Sequence, residues 1–303
     1  MSELPDHHIL MAIKDLSLAA RRTIDGFMAG INKSKVKGPG LEFSQYRSYQ
    51  PGDDLRWLDW KRYARTDRYY IRESEIETSI SVRLLVDASA SMAHVDGVTS
   101  RGTFPDRTFS KLDYAKYLAA SLAWLANQQG DALGLYFFRD GQVATLPPRK
   151  DPQHLARIFH QLESLQPGGV VGDLVSYKHI FTGEQKRELL IFITDMYETG
   201  GEISRMLELL ASLRHEIVVF HIMGQNELTG DYGAWTEVED LETGRRMSVG
   251  AGSGDEGYQE RMQRWLAAVR MQLLDRQVVY HLLRMDQPLD QALRDFLKQR
   301  QMG

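Results

Sequence analysis

The sequence predicts an α/β fold built on a mostly parallel sheet with helices on both faces. Three observations point there. The apolar runs Ile80 to Val86 and Leu189 to Ile193 have strand length and read as buried strands. Such runs alternate along the chain with segments of helical period, the pattern of a sheet covered on both sides. A single tight hairpin at Asp140-Gly141 adds one antiparallel strand at an edge.

The elements follow in order. Leu10, Ile13, Leu16, Leu18, Ala20, Ile24, Phe27 and Met28 recur at helical spacing, which predicts an amphipathic helix over 9–31. Lys33, Lys35, Lys37 and Gly38-Pro39-Gly40 mark a loop. Residues 41–75 read as short irregular strands and turns. Pro51-Gly52-Asp53 is one turn: proline presets φ, glycine accepts positive φ and aspartate bonds the local backbone. Residues 38–75 hold eight aromatics, too many to leave in water, so they are expected to form a folded subdomain packed on the core. Trp57, Trp60 and Tyr63 read as its core anchors.

Beyond residue 79 the alternation sets in. Helices are predicted over 109–129, 152–165 (proline in the first turn), up to 181, 203–213, 255–275 and 289–301. Strands are predicted over 132–138, 142–146, 189–193, 216–223 and 278–283. Trp265 and Leu266 should face inward from the long helix. Residues 234–249 read as a hairpin around Thr243-Gly244. This divides the chain into 1–78, an N-terminal helix with a small irregular β subdomain, and 79–303, the α/β domain carrying the hairpin insertion.

Composition narrows the function. The 303 residues include 43% hydrophobic and 26% charged positions, ordinary for a globular protein, with a net charge of −4. That balance gives no general pull toward nucleic acid or an anionic membrane. Residues 31–75 mix ten Lys or Arg with seven Asp or Glu, so they do not form a basic binding strip either. Cysteine is absent, which excludes disulfides, thiolate chemistry and Cys-based zinc sites. No stretch approaches eighteen apolar residues, so no membrane insertion is expected. Met1 to His8 is polar and acidic, unlike a signal peptide. A cytoplasmic protein is the expectation.

The chemistry concentrates at Asp87-Ala88-Ser89-Ala90-Ser91. A carboxylate and two hydroxyls leave the C-terminal end of a buried strand, the end where open α/β sheets bind ligands. Three hard oxygens suit Mg²⁺ or Mn²⁺. The strand 189–193 ends the same way, in Thr194-Asp195. Asp87, Ser89, Ser91 and Asp195 are therefore the candidate metal ligands. The same serines and Asp87 also suit helix N-caps, a purely structural use.

Asp-x-Ser-x-Ser after an apolar strand, with a later strand-end aspartate, resembles the metal-ion-dependent adhesion site of von Willebrand factor A-like domains. Gly40-Leu41-Glu42-Phe43, Tyr46 to Asp54, Asp59-Trp60-Lys61 and Ala64-Arg65-Thr66-Asp67 resemble the bacterial "domain of unknown function 58" family. The resemblance runs from about residue 10 to the C-terminus. It implies a von Willebrand A-like, Rossmann-like sheet and a role in binding other proteins, in partnership with a MoxR-type AAA+ ATPase and its client. Many relatives carry N-terminal membrane helices, and none is expected here. The superfamily's usual loop threonine is replaced: the matching stretch is Gly168-Gly169-Val170-Val171-Gly172-Asp173, with Gly172 in the threonine's place. A metal site here should then be weak alone, one position being left to water or a partner's carboxylate, and Gly172→Thr should tighten it.

The expected function is a non-enzymatic protein-binding adaptor. Asp53, Asp54, Arg56, Asp59, Arg65 and Asp173 are candidate partner contacts. The alternative is a metal-dependent phosphohydrolase using the Asp87/Asp195 site. Phosphatases of related topology place a second aspartate two residues after the nucleophile, where this chain has Ser89. The Gly-x-Ser-x-Gly elbow of an α/β-hydrolase is absent, as is a Walker A sequence.

Overall fold

A computed structural model describes residues 15–24, 46–49, 60–72, 80–96, 109–172, 178–181, 187–231, 237–248 and 256–287, with 289, 293, 294 and 296. The chain divides into two compact units, 30–79 and 1–29 joined with 80–303. The helix over 16–24 (α1) thus groups with the larger unit, where Leu16, Ala20 and Ile24 enter the core. The candidate contacts Asp53, Asp54, Arg56, Asp59 and Asp173 lie outside the described residues.

In the smaller unit, β1 (Tyr46–Ser48) pairs antiparallel with β2 (Tyr70–Arg72). Between them lies α2 (Trp60–Thr66), a helix where the sequence suggested only irregular strands and turns. Tyr63 stacks on Tyr69 with ring centroids 4.5 Å apart. Trp60 is not the core anchor its spacing implied: it is 61% exposed, with its ring edge-on to that of Tyr63. Arg65, in the last turn of α2, is exposed.

The larger unit is built on a six-stranded sheet. Its strands are β3 (Ser81–Asp87), β4 (Ala132–Arg139), β5 (Gln142–Arg149), β6 (Leu189–Thr194), β7 (Glu216–Met223) and β10 (Val279–Arg284). The order is β10-β7-β6-β3-β4-β5, with every neighbouring pair parallel except β4–β5. This is the predicted sheet of five parallel strands and one antiparallel edge. The edge strand β5 runs past the expected stop through Pro147 and Pro148. An edge tolerates residues that cannot donate to a ladder, and the register slips between Leu133 and Leu135 opposite them.

Side-chain alternation explains why the central strands read as largely apolar runs. Leu84, Val86, Ile191, Ile193, Val218 and Phe220 enter one core, with α1, α3 (Lys111–Gln128) and α4 (Pro152–Ser164). Leu85, Leu190, Phe192, Ile217 and Val219 enter the other, with Phe181 of α5 (Lys178–Phe181) and Ile203, Leu207 and Leu210 of α6 (Glu202–Ser212). Strands covered on both faces need apolar side chains on both. The remaining elements are α7 (Gln225–Thr229), the hairpin β8 (Glu237–Glu239) and β9 (Arg246–Ser248), and α8 (Glu256–Asp275). Contrary to expectation, Trp265 on α8 is 40% exposed, although its ring meets His221 edge-on.

One buried ion pair ties β3 to β6 at their N-terminal ends. Arg83 Nε lies 2.8 Å from Glu188 Oε2, and Arg83 Nη2 donates to Glu188 Oε1 at 2.9 Å. The same guanidinium donates to Tyr136 Oη and the Ile180 carbonyl, and stacks near the Tyr136 and Phe181 rings. Removing one partner of such a pair strands the other charge in the interior. Glu188→Ala should therefore lower unfolding free energy by about 3–5 kcal/mol in chemical denaturation. A loss below about 1 kcal/mol, the range of exposed pairs, would show that the guanidinium reaches water.

Candidate functional site

The C-terminal ends of β3 and β6 bring together the four residues singled out in the sequence. Asp87 closes β3, and Asp195 directly follows β6 on the neighbouring strand. Both carboxylates are buried. Asp87 Oδ1 accepts the Ser89 N–H at 2.9 Å, and Oδ2 accepts the Thr194 hydroxyl at 2.7 Å. The chain then makes a 3₁₀ turn, Ala90–Ala93, which aims two side chains inward. Ser89 Oγ and Ser91 Oγ are 3.0 Å apart. The 168–170 loop braces this turn: Gly168 donates to the Ala88 carbonyl and Ala90 to the Gly169 carbonyl, each at 2.9 Å.

Gly172 explains the missing loop hydroxyl. It has φ +79°, and a Cβ there would sit 2.6 Å from Gly141 Cα. The backbone admits no side chain, so Gly172→Thr would strain the loop instead of tightening the site.

Three charged groups join the cluster without having been picked out in the sequence. Ser110 and Asp113 form a capping box at the start of α3, which fixes Lys111 as its first residue. The Lys111 ammonium is buried and donates to Asp195 Oδ2 at 2.9 Å and Glu227 Oε1 at 2.7 Å. Glu227 also closes the start of α7, its Oε2 accepting the Gly224 N–H at 2.8 Å. The third group is Glu242, at the tip of the β8–β9 hairpin. Its carboxylate faces Ser89, Ser91, Asp87 and Asp195. Its Oε1 is buried and makes no hydrogen bond among the described residues. The capping box was a local signal for Lys111. Glu227 and Glu242 reach the site only through the fold.

The electrostatics follow from burial and pairing. Desolvation, reinforced by the charge of Asp195, pushes Asp87 up to about 7. Burial also works against ionised Asp195, but the charge and hydrogen bond of Lys111 hold it below the usual carboxylate range. For Lys111, burial is outweighed by Asp195 and Glu227, which keep it charged. Burial raises Glu242 to about 7; the Ser89 and Ser91 hydroxyls oppose the rise, while Asp87 and Asp195 add to it. Burial drives His221 down to about 4, so it is neutral at pH 7.

A cavity of about 750 Å³ borders the cluster, within the range of ligand pockets. Ser91, Lys111, Asp195 and Glu227 line its polar end, and Leu207, Met262, Trp265, Val269 and Leu273 its apolar wall.

The donor set fits a hard divalent cation. Two adjacent hydroxyls and the orphaned Glu242 oxygen offer direct ligation, with Asp87 and Asp195 supplying negative charge. Among the described residues no three His, Asp or Glu side chains form a metal-binding group by themselves, so hydroxyls and water would carry part of the shell. Bound there, an ion would act as a bridge to an oxygen-bearing ligand.

The sheet order and this strand-end cluster define a von Willebrand A-like domain. Residues 45–268 match the family described as "Protein of unknown function DUF58", and the chain belongs to that family. It is 27% identical over 253 residues to the uncharacterized protein Rv1480 of Mycobacterium tuberculosis, covering 82% of this chain and 76% of that one. Among solved structures it is similar to BatB from Bacteroides thetaiotaomicron (17% identity, 74% of this chain and 100% of that one, TM-score 0.43). It is also similar to the SpRpn10 VWA domain (11% identity, 72% and 95%, TM-score 0.39).

The cytoplasmic expectation is corrected by these comparisons. Similar structures include an aerotolerance-related membrane protein from Bacteroides fragilis (16% identity, 74% and 100%, TM-score 0.43) and a membrane spanning protein from Vibrio fischeri (19% identity, 73% and 96%, TM-score 0.26). Among the described residues no helix is long and apolar enough to cross a membrane.

The raised Asp87 has a pH signature. The unfolded chain releases this proton near pH 4, whereas the folded protein holds it up to about pH 7. Between those values the folded state binds more protons, so the contribution of Asp87 to stability falls as pH rises and levels off above pH 7. Without divalent ions, Asp87→Asn should gain stability relative to wild type between pH 5 and pH 7.5, measured by denaturant unfolding. A difference that stays constant with pH would mean that folded Asp87 is ionised throughout.

Proposed function

We propose that this protein is a non-enzymatic adaptor that binds other proteins at the C-terminal ends of β3 and β6. A Mg²⁺ or Mn²⁺ ion bridges Ser89, Ser91, Asp87 and Asp195 to a carboxylate of the partner. The observation that carries this reading is the pairing of two inward hydroxyls, 3.0 Å apart, with two buried carboxylates at adjacent strand ends. Such a set recognises an ion and, through it, an oxygen ligand. The adjoining cavity offers apolar surface to the same partner.

The local chemistry does not favour catalysis. The serine hydroxyls bond each other, and nearby His94 bonds Asn226. Both Asp87 oxygens already accept hydrogen bonds, which leaves them poorly placed as a nucleophile.

The resemblance to "domain of unknown function 58" proteins suggests the partner: a MoxR-type AAA+ ATPase, which would supply the motor that this chain lacks. Exposed Arg65 is a contact that such a partner can use; Asp53, Asp54, Arg56, Asp59 and Asp173 are proposed as further contacts from the sequence alone. Affinity capture from the native organism should recover an AAA+ ATPase, more of it with ATP and Mg²⁺ present. Ser89→Ala/Ser91→Ala should lose at least about tenfold in recovery, the scale of a lost metal contact. Undiminished recovery with chelator present and with that double variant would place the partner elsewhere.

A further inference from the structure

The hairpin over 237–248 is an insertion that the adaptor reading leaves without a purpose, yet it is built to hold one side chain in place. Asp240 organises its turn: Oδ1 accepts the N–H groups of Glu242 and Thr243, at 2.9 and 3.2 Å. The backbone closes with Gly244 donating to the Asp240 carbonyl and Asp240 donating to the Arg245 carbonyl, each at 2.8 Å. The other Asp240 oxygen accepts the Tyr197 hydroxyl. Tyr197 in turn donates its N–H to Asp195 Oδ1 at 3.1 Å. The hairpin is therefore latched to the loop that carries Asp195. Glu242, two residues beyond Asp240, brings a carboxylate against the Ser89 and Ser91 hydroxyls, with Oε1 buried and unbonded among the described residues.

A buried carboxylate oxygen without a donor is costly, and here it lies close to two more carboxylates. Lys111 does not relieve it, because its contacts are with Asp195 and Glu227. A divalent cation between the two hydroxyls and Glu242 would satisfy that oxygen and offset the negative charge. We infer that Glu242 completes the cation site from within the chain, holding the position that a partner's carboxylate takes when it displaces the hairpin. This rests on the cation-bridged reading above and adds to it a competition: own carboxylate against incoming one. The latch at Tyr197–Asp240 sets how readily the exchange occurs.

The test is Mn²⁺ binding, followed by calorimetry and by the electron paramagnetic resonance of free Mn²⁺, with acetate as a small stand-in for the partner's carboxylate. Wild type, Glu242→Ala, Glu242→Gln, Tyr197→Phe and Asp87→Asn are compared, with circular dichroism as the check on folding. Glu242→Ala and Glu242→Gln should weaken Mn²⁺ by at least about tenfold. Acetate should restore Glu242→Ala toward wild-type affinity and leave latched wild type unchanged, while Tyr197→Phe should become acetate-sensitive. If Asp87→Asn abolishes binding but Glu242→Ala equals wild type with or without acetate, the role of Glu242 is overturned and the metal site stands. If wild type binds no Mn²⁺, both the inference and the cation bridge fall.

Discussion

The parallel pairing of β3 with β6 is the constraint on which the rest of this structure depends. In register, Arg83 lies opposite Leu190 and Val86 opposite Ile193, which delivers Asp87 and the Thr194-Asp195 pair to the same end of the sheet. A shift of one residue would invert every side chain of a strand between the two cores. Both cores are densely apolar, so the register is strongly held. The Arg83–Glu188 pair locks it at one end and the Thr194–Asp87 hydrogen bond at the other. The stability of the domain and the geometry of its site thus rest on one pair of strands.

The site gathers more negative charge than a buried location tolerates unaided. Lys111 compensates Asp195 and Glu227, and does so from the first position of a helix, where a cation opposes the helix dipole. A cation placed against that preference indicates how strong the local field is. What remains is Asp87 and Glu242, both raised toward neutrality by burial. These two groups and the two serines face one another without a countercharge of their own. The same arrangement would favour a divalent ion, and it accounts for the reluctance of Asp87 and Glu242 to ionise there.

The sheet was largely legible in the sequence because strands buried on both faces are largely apolar runs, and one Asp-Gly hairpin marked the antiparallel edge. Asp87, Ser89 and Ser91 were legible because their spacing is local, and Asp195 because it repeats the same strand-end position. Glu227 and Glu242 lie far from Asp87 in the chain and meet the site only through topology, which no spacing rule reaches; for Lys111 the capping box marks the helix start but not the carboxylates it meets. Trp60 misled for a related reason: aromatics three apart share a helix face only approximately, and in the seven-residue α2 one of them points outward. The compartment was not legible because the fold itself does not encode it.

The central claim is that the end of β3 and β6 is a cation-bridged recognition site. The most direct measurement is an anomalous-difference map from crystals grown with Mn²⁺. The account predicts a peak in contact with Ser89 Oγ, Ser91 Oγ and Glu242, with Lys111 still on Asp195 and Glu227. A map with no Mn²⁺ peak at this cluster at saturating metal, or with the Lys111 ammonium seated between the two serines, would contradict it.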